Sequence, residues 1–202
     1  MVKALPKNGG AYIENRQKDH LQLVNAQIRI NNYSRTKKLV LGSILAALAA
    51  IFQSAGIFVG FGYAFSILAT MPIVLSAMIS IRLGLMSYVL TILLLLIIQP
   101  SELIVFPFTT GLLGISLGMA FKWWENWIAI TFFGGISLSV GILFLLYIVK
   151  FPVLGPSVSH TFQFPIVLVI LLFTLFYSMI WMGLSRKVYK LLFRTTIKRR
   201  SF

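Results

Sequence analysis

The side chains that could carry acid–base or metal chemistry are few and lie far apart along the chain. The 202 residues include four acids and two histidines: Glu14, Asp19, Glu102, Glu125, His20 and His160. Cysteine is absent, which removes disulfides, thiolate ligands and cysteine nucleophiles. General acid–base catalysis and a metal site both need several such groups in one place. The sequence therefore predicts a protein that is not an enzyme and that uses no metal or cofactor.

The elements that must position the remaining polar groups are long apolar segments. The chain is 58% hydrophobic and 11% charged, more apolar than one soluble core of this size could bury. Uncharged apolar runs of about 18 residues or more are typical of membrane helices. We therefore predict an all-α integral membrane bundle of six transmembrane helices. These spans lie at about 39–59, 63–81, 83–99, 103–121, 127–149 and 165–184. Basic tails flank the bundle, at 1–38 and 185–202.

The positive charge is concentrated where helices meet water. Eight of the 18 Lys and Arg residues lie in residues 1–38, and seven lie in residues 186–200. The other three are Arg82, Lys122 and Lys150. The positive-inside rule then predicts that both termini are cytoplasmic and that only Lys150 lies outside. This placement favours contact with anionic membrane lipid over nucleic acid, in a multi-pass protein of a cell membrane, with the bacterial plasma membrane expected.

The predicted spans contain no charged residue in their interiors, which disfavours an ion-coupled transporter or an intramembrane enzyme. The first span instead carries a face of small residues, Gly42, Ala46 and Ala50, at intervals of four. Small residues let helices approach closely in lipid. The face could pack inside the chain's own bundle or dock a partner, and the pattern does not distinguish the two.

The first three spans resemble a known family. KKLVLGSILAALAAIFQ at 37–53 and TMPIVLSAMISIRLGLMSYVL at 70–90 resemble, in layout, the substrate-binding S components of energy-coupling-factor (ECF) transporters. The resemblance implies capture of a vitamin-like micronutrient from outside. It also implies docking of an ECF-type scaffold subunit through Ala46 and Ala50, with Gly42 one turn earlier. Cytoplasmic ATPases would then supply the energy, which agrees with the absence of a Walker-type phosphate loop in this sequence.

The resemblance also implies a substrate site on the outer side. Polar residues predicted at that level are Gln53, Tyr63, Gln99, Glu102, Thr109, His160 and Gln163. With nearby phenylalanines they suit a small, partly apolar ligand. Several have a competing structural interpretation. Pro100, Ser101 and Glu102 are typical of a helix start with a serine cap, and Thr109 could bond to its own helix. The alternative function is a non-transporting membrane scaffold or cell-envelope assembly protein, which would bind no solute.

Overall fold

The structure is a computed structural model that describes residues 34–57, 61–151 and 163–198, and all regular elements in these ranges are helical. The α-helices are α1 Arg35–Ser54, α2 Phe61–Leu68, α3 Thr70–Ile79, α4 Ile81–Ile98, α5 Glu102–Phe108, α6 Thr110–Trp123, α7 Trp127–Leu143 and α8 Phe164–Lys198. A 3₁₀ turn at Ala55–Ile57 follows α1, and a π-helical turn at Phe144–Ile148 follows α7. Residues Arg35–Ser185 form one compact unit, which is described below.

Five segments are long and apolar enough to cross a membrane. They are Arg35–Ser54, Ile81–Ile98, Glu102–Trp123, Trp127–Ile148 and Phe164–Tyr189. The second predicted span is different, because it is divided between α2 and α3 at Ala69 and contains a shorter apolar helix, Phe65–Ile79. The expectation of an all-helical protein with several long apolar helices is thus confirmed for the described residues. Their number and apolar character are compatible with a multi-pass membrane protein.

The centre of the bundle is α3, of which nearly every residue is buried. Helix α6 packs against it with glycines at the contacts. A Cβ atom added to Gly114 would lie 2.8 Å from the Ile73 side chain, and one added to Gly118 would overlap Ala77. The residue numbers of the contacting positions increase in the same direction along both helices, so α3 and α6 run parallel. Glycine at 114 and 118 is therefore what allows the backbones to approach this closely.

Helices α1 and α4 also run side by side in the same direction. The Ser87 hydroxyl donates to the Gly42 carbonyl at 3.0 Å, and the Thr91 hydroxyl donates to the Ala46 carbonyl at 3.2 Å. Successive turns of one helix thus meet successive turns of the other. The intervening segment must consequently return the chain from the end of α1 to the level of its start.

Helices α7 and α8 pack in opposite directions. The Ser178 hydroxyl donates to the Thr131 carbonyl at 2.9 Å, and a Cβ atom on Gly135 would lie 2.7 Å from Leu175. The outward sides of these helices carry large apolar residues, including Ile128, which is 69% exposed. Side chains of this kind on an outer surface suit lipid better than water.

Candidate functional site

A polar cluster joins three helices at the end of α1. Gln53 is 1% exposed, and its amide Nε2 donates to Glu102 Oε2 at 2.7 Å. The Thr110 hydroxyl donates to Gln53 Oε1 at 2.8 Å. The polar cluster, defined here as Gln53, Glu102 and Thr110, therefore links α1 to the first residues of α5 and α6.

The break between α5 and α6 lies directly before Thr110, the residue that α6 contributes to the polar cluster. Pro107 lies inside α5 and has no N–H for the helical hydrogen-bond ladder. The Pro107 carbonyl accepts a hydrogen bond from the Tyr88 hydroxyl of α4 at 3.0 Å. Thr109 then leaves the helical conformation, with φ −119° and ψ −100°. The helix restarts at Thr110, whose hydroxyl reaches Gln53.

The cluster retains capacity to accept hydrogen bonds. Glu102 is partly exposed, and its Oε1 accepts no hydrogen bond from any residue that the structure describes. This oxygen faces Gly56, where an added Cβ would lie 3.6 Å away. Just before α5, Gln99 Oε1 is buried and likewise has no donor within the described ranges. The second carboxylate oxygen of Glu102 is thus available to a ligand that carries donors.

The helix-start interpretation of this region is only partly correct. Glu102 does lie in the first turn of α5, but the Ser101 side chain makes no capping hydrogen bond. The Ser101 hydroxyl accepts a hydrogen bond from Gln99 Nε2 at 3.3 Å instead. The carboxylate of Glu102 bonds to α1, so a role at the start of α5 does not account for all of its contacts.

Thr109 and Thr110 have different roles, although sequence analysis selected only Thr109. The Thr109 hydroxyl donates to the Val105 carbonyl of its own helix at 2.8 Å. That bond is the structural alternative expected for a threonine within a membrane helix. Thr110 provides the contact to Gln53 instead. Pro107 is a sequence signal for a helix break, but it does not indicate which of the two threonines turns toward α1.

The remaining predicted binding residues lie elsewhere or outside the described part. Gln163 is exposed, and its carbonyl accepts from the N–H groups of Ile166 and Val167 at the start of α8. Tyr63 belongs to α2, but its side chain is not described, and His160 lies outside the described residues. Across the described ranges no group of three or more His, Cys, Asp or Glu residues is placed to hold a metal ion.

The small face of α1 lies inside the unit. Gly42 is buried, and Ala46 and Ala50 are 0% exposed. A Cβ atom on Gly42 would lie 2.6 Å from Leu83 of α4. The face therefore packs within the chain's own bundle. Docking of a partner through these residues stays a prediction, and it would require α1 to separate from α4.

Comparison of the chain with models of protein families, with curated proteins and with solved structures finds no match.

Proposed function

We propose that this chain is the substrate-capturing membrane subunit of an ECF-type importer and that it binds a vitamin-like micronutrient from outside the cell. The observation that carries the proposal is the polar cluster. A buried amide in a membrane helix is costly unless it is hydrogen-bonded. Gln53 meets that requirement through Glu102, a partly exposed carboxylate that retains an oxygen for a ligand.

Six crossings with both termini inside are the topology we propose. Because α1 and α4 run parallel, residues 61–79 have to recross the bilayer. The 18 residues of α2 and α3 together give a rise of about 27 Å along their helix axes. That rise is close to the roughly 30 Å hydrocarbon thickness. Lys122 Nζ donates to the Ile79 carbonyl at 3.4 Å, so the ends of α3 and α6 are level. The exposed Trp123 and Trp127 flank this end as interfacial residues commonly do.

The positive-inside rule then makes this basic end cytoplasmic and the polar cluster extracytoplasmic in a bacterial plasma membrane. Arg82 is the second residue of α4 and follows the tight connection from α3 at Ser80, at the basic end. Lys150 is exposed and follows the π-helical turn after α7, at the end of the bundle opposite to Arg82. Only the latter end would meet solutes that arrive from outside.

The chemistry of the site favours a ligand with N–H donors or a positive charge. The available acceptor is Glu102 Oε1, and a hydrogen bond to a carboxylate is stronger than one between neutral groups. An ECF-type scaffold subunit and its cytoplasmic ATPases would be the partners that supply energy.

Purification of the tagged chain from its own membranes, followed by native mass spectrometry, tests this function. We expect a bound small molecule of vitamin mass and a second population in complex with a membrane subunit and ATPases. A wild-type protein that carries neither after mild extraction would contradict the proposal.

A non-transporting scaffold is the second candidate, and one observation favours it. Both polar ends of the Gln53 amide already have partners within the chain, so the polar cluster could serve only to tie three helices together. In that case, cell-envelope proteins should co-purify with the chain and no solute should be retained.

A further inference from the structure

An apolar groove of about 440 Å³ opens on the outer surface between α1 and α4. None of its lining residues belongs to the polar cluster, and its α1 residues lie at the start of that helix, whereas Gln53 lies in the last turn. Its lining includes Leu39, Gly42 and Ser43 of α1 and Leu83, Leu90 and Leu93 of α4. Ser43 is exposed on the α1 side of the groove, and its small side chain leaves space that a larger residue would fill.

The hydroxyl groups of the groove are already satisfied. Ser43 Oγ donates to the Leu39 carbonyl at 3.0 Å, and Ser87 Oγ donates to the Gly42 carbonyl at 3.0 Å. Neither serine needs a polar occupant. The groove therefore suits a hydrocarbon chain, which forms van der Waals contacts and asks for no hydrogen bond.

The length of the groove matches one leaflet. From Leu83 to Leu93, α4 rises about 15 Å, which is half of a typical hydrocarbon core. The groove begins where both helices begin, so an occupant would lie along the bundle from the basic end to mid-membrane.

A basic residue marks the start of the α4 side of the groove. The exposed Arg82 directly precedes Leu83, which lines the groove. Neither α1 nor α4 has an acidic residue in its first turn. A ligand with an anionic head and an apolar tail complements both parts of this surface.

We propose that the groove is a binding site for an anionic phospholipid, with one acyl chain between α1 and α4 and the phosphate beside Arg82. The groove does not involve the polar cluster, since it begins at the opposite end of the bundle from Gln53 and Glu102.

Lipid retention measured by native mass spectrometry tests the site. The protein would be equilibrated with mixed micelles that contain equal amounts of phosphatidylglycerol and phosphatidylcholine. We expect preferential retention of one phosphatidylglycerol by the wild type. Arg82→Gln should lower that preference roughly fivefold, the equivalent of about 1 kcal/mol per basic residue. Lys150→Gln removes one charge at the other end and should leave the preference unchanged.

Ser43→Trp and Val89→Trp test the acyl-chain position. Both residues line the groove and are exposed, so the larger ring fills the groove without entering the core. Each should lower retention of both lipids at least fivefold. Val140→Trp is the matched control, on an exposed position of α7. Equal retention by groove and control variants, absence of a phosphatidylglycerol preference in the wild type, or a protein subunit that occupies this face would overturn the proposal.

Discussion

Two regions of the bundle hold buried polar side chains in different ways. Between α1 and α4, Ser87 and Thr91 donate to backbone carbonyls of the neighbouring helix. In the polar cluster, Gln53 bonds through its side chain to Glu102 and Thr110. In the first arrangement both hydroxyl groups already donate hydrogen bonds within the protein and no charged group takes part, so it serves packing. The second includes a carboxylate with an oxygen still available, so it can serve a ligand as well.

The comparison predicts the largest loss of stability from a bulky residue between α1 and α4. Ala46→Trp should reduce the free energy of unfolding by about 3 kcal/mol or more, because Ala46 is fully buried against α4. Thermal unfolding in detergent and the fraction of monodisperse protein would measure the effect. Ile44→Trp, at a 53% exposed position of the same helix, is the control. An intact Ala46→Trp monomer would show that the face is not an internal contact.

In the polar cluster we expect a smaller structural loss together with a functional one. Gln53→Leu replaces the amide with an apolar side chain of similar size and leaves Glu102 and Thr110 without their shared partner. The cost should be roughly 1–2 kcal/mol of stability, because both residues remain partly accessible. Retention of the small molecule should also be lost. Gln163→Leu, at an exposed position, should change neither quantity.

Backbone strain is present at one residue outside both regions, Lys150. Lys150, at the end of the bundle that holds the polar cluster, has a φ of 56°, a left-handed conformation that glycine adopts without cost. Lys150→Gly should raise the free energy of unfolding by about 1 kcal/mol in denaturant titrations. Lys122→Gly is the contrasting variant, since it lies within α6 and should lower stability by a similar amount.

The smallest effect is expected for Thr91→Val. The threonine hydroxyl contacts the Ala46 and Ser87 carbonyls, and hydrogen bonds of this kind between membrane helices contribute about 0.6 kcal/mol. Valine keeps the shape, so thermal unfolding should shift only slightly and ligand retention should not change. A loss of ligand retention would mean that the packing region and the polar cluster are coupled.

Sequence periodicity predicted the long helices because hydrophobic length is a strong local signal. The divisions at Ala69 and Thr109 were missed, since each depends on how a short helix fits among neighbours. Proline marked both regions, at Pro72 and Pro107, without fixing the residue at which the helix would stop.

The candidate site was predicted in part for similar reasons. Gln53 and Glu102 stand out as polar residues beside apolar runs, and the structure brings them together. The sequence does not show that Thr110, and not Thr109, contacts Gln53, because the helix break at Thr109 changes which side of the helix each threonine lies on. The inward direction of the small face was also undetermined, since Gly42, Ala46 and Ala50 suit an internal neighbour and an external partner equally.

Ligand-dependent thermal stability is the most direct test that the polar cluster binds a micronutrient. Purified wild type, Glu102→Gln and Glu125→Gln would be unfolded by heat in the presence of a panel of water-soluble vitamins. We predict that one compound stabilises wild type and Glu125→Gln, by about 2.7 kcal/mol at a hundredfold excess over Kd, and does not stabilise Glu102→Gln. Stabilisation of all three proteins alike, or of none by any compound, would contradict the account.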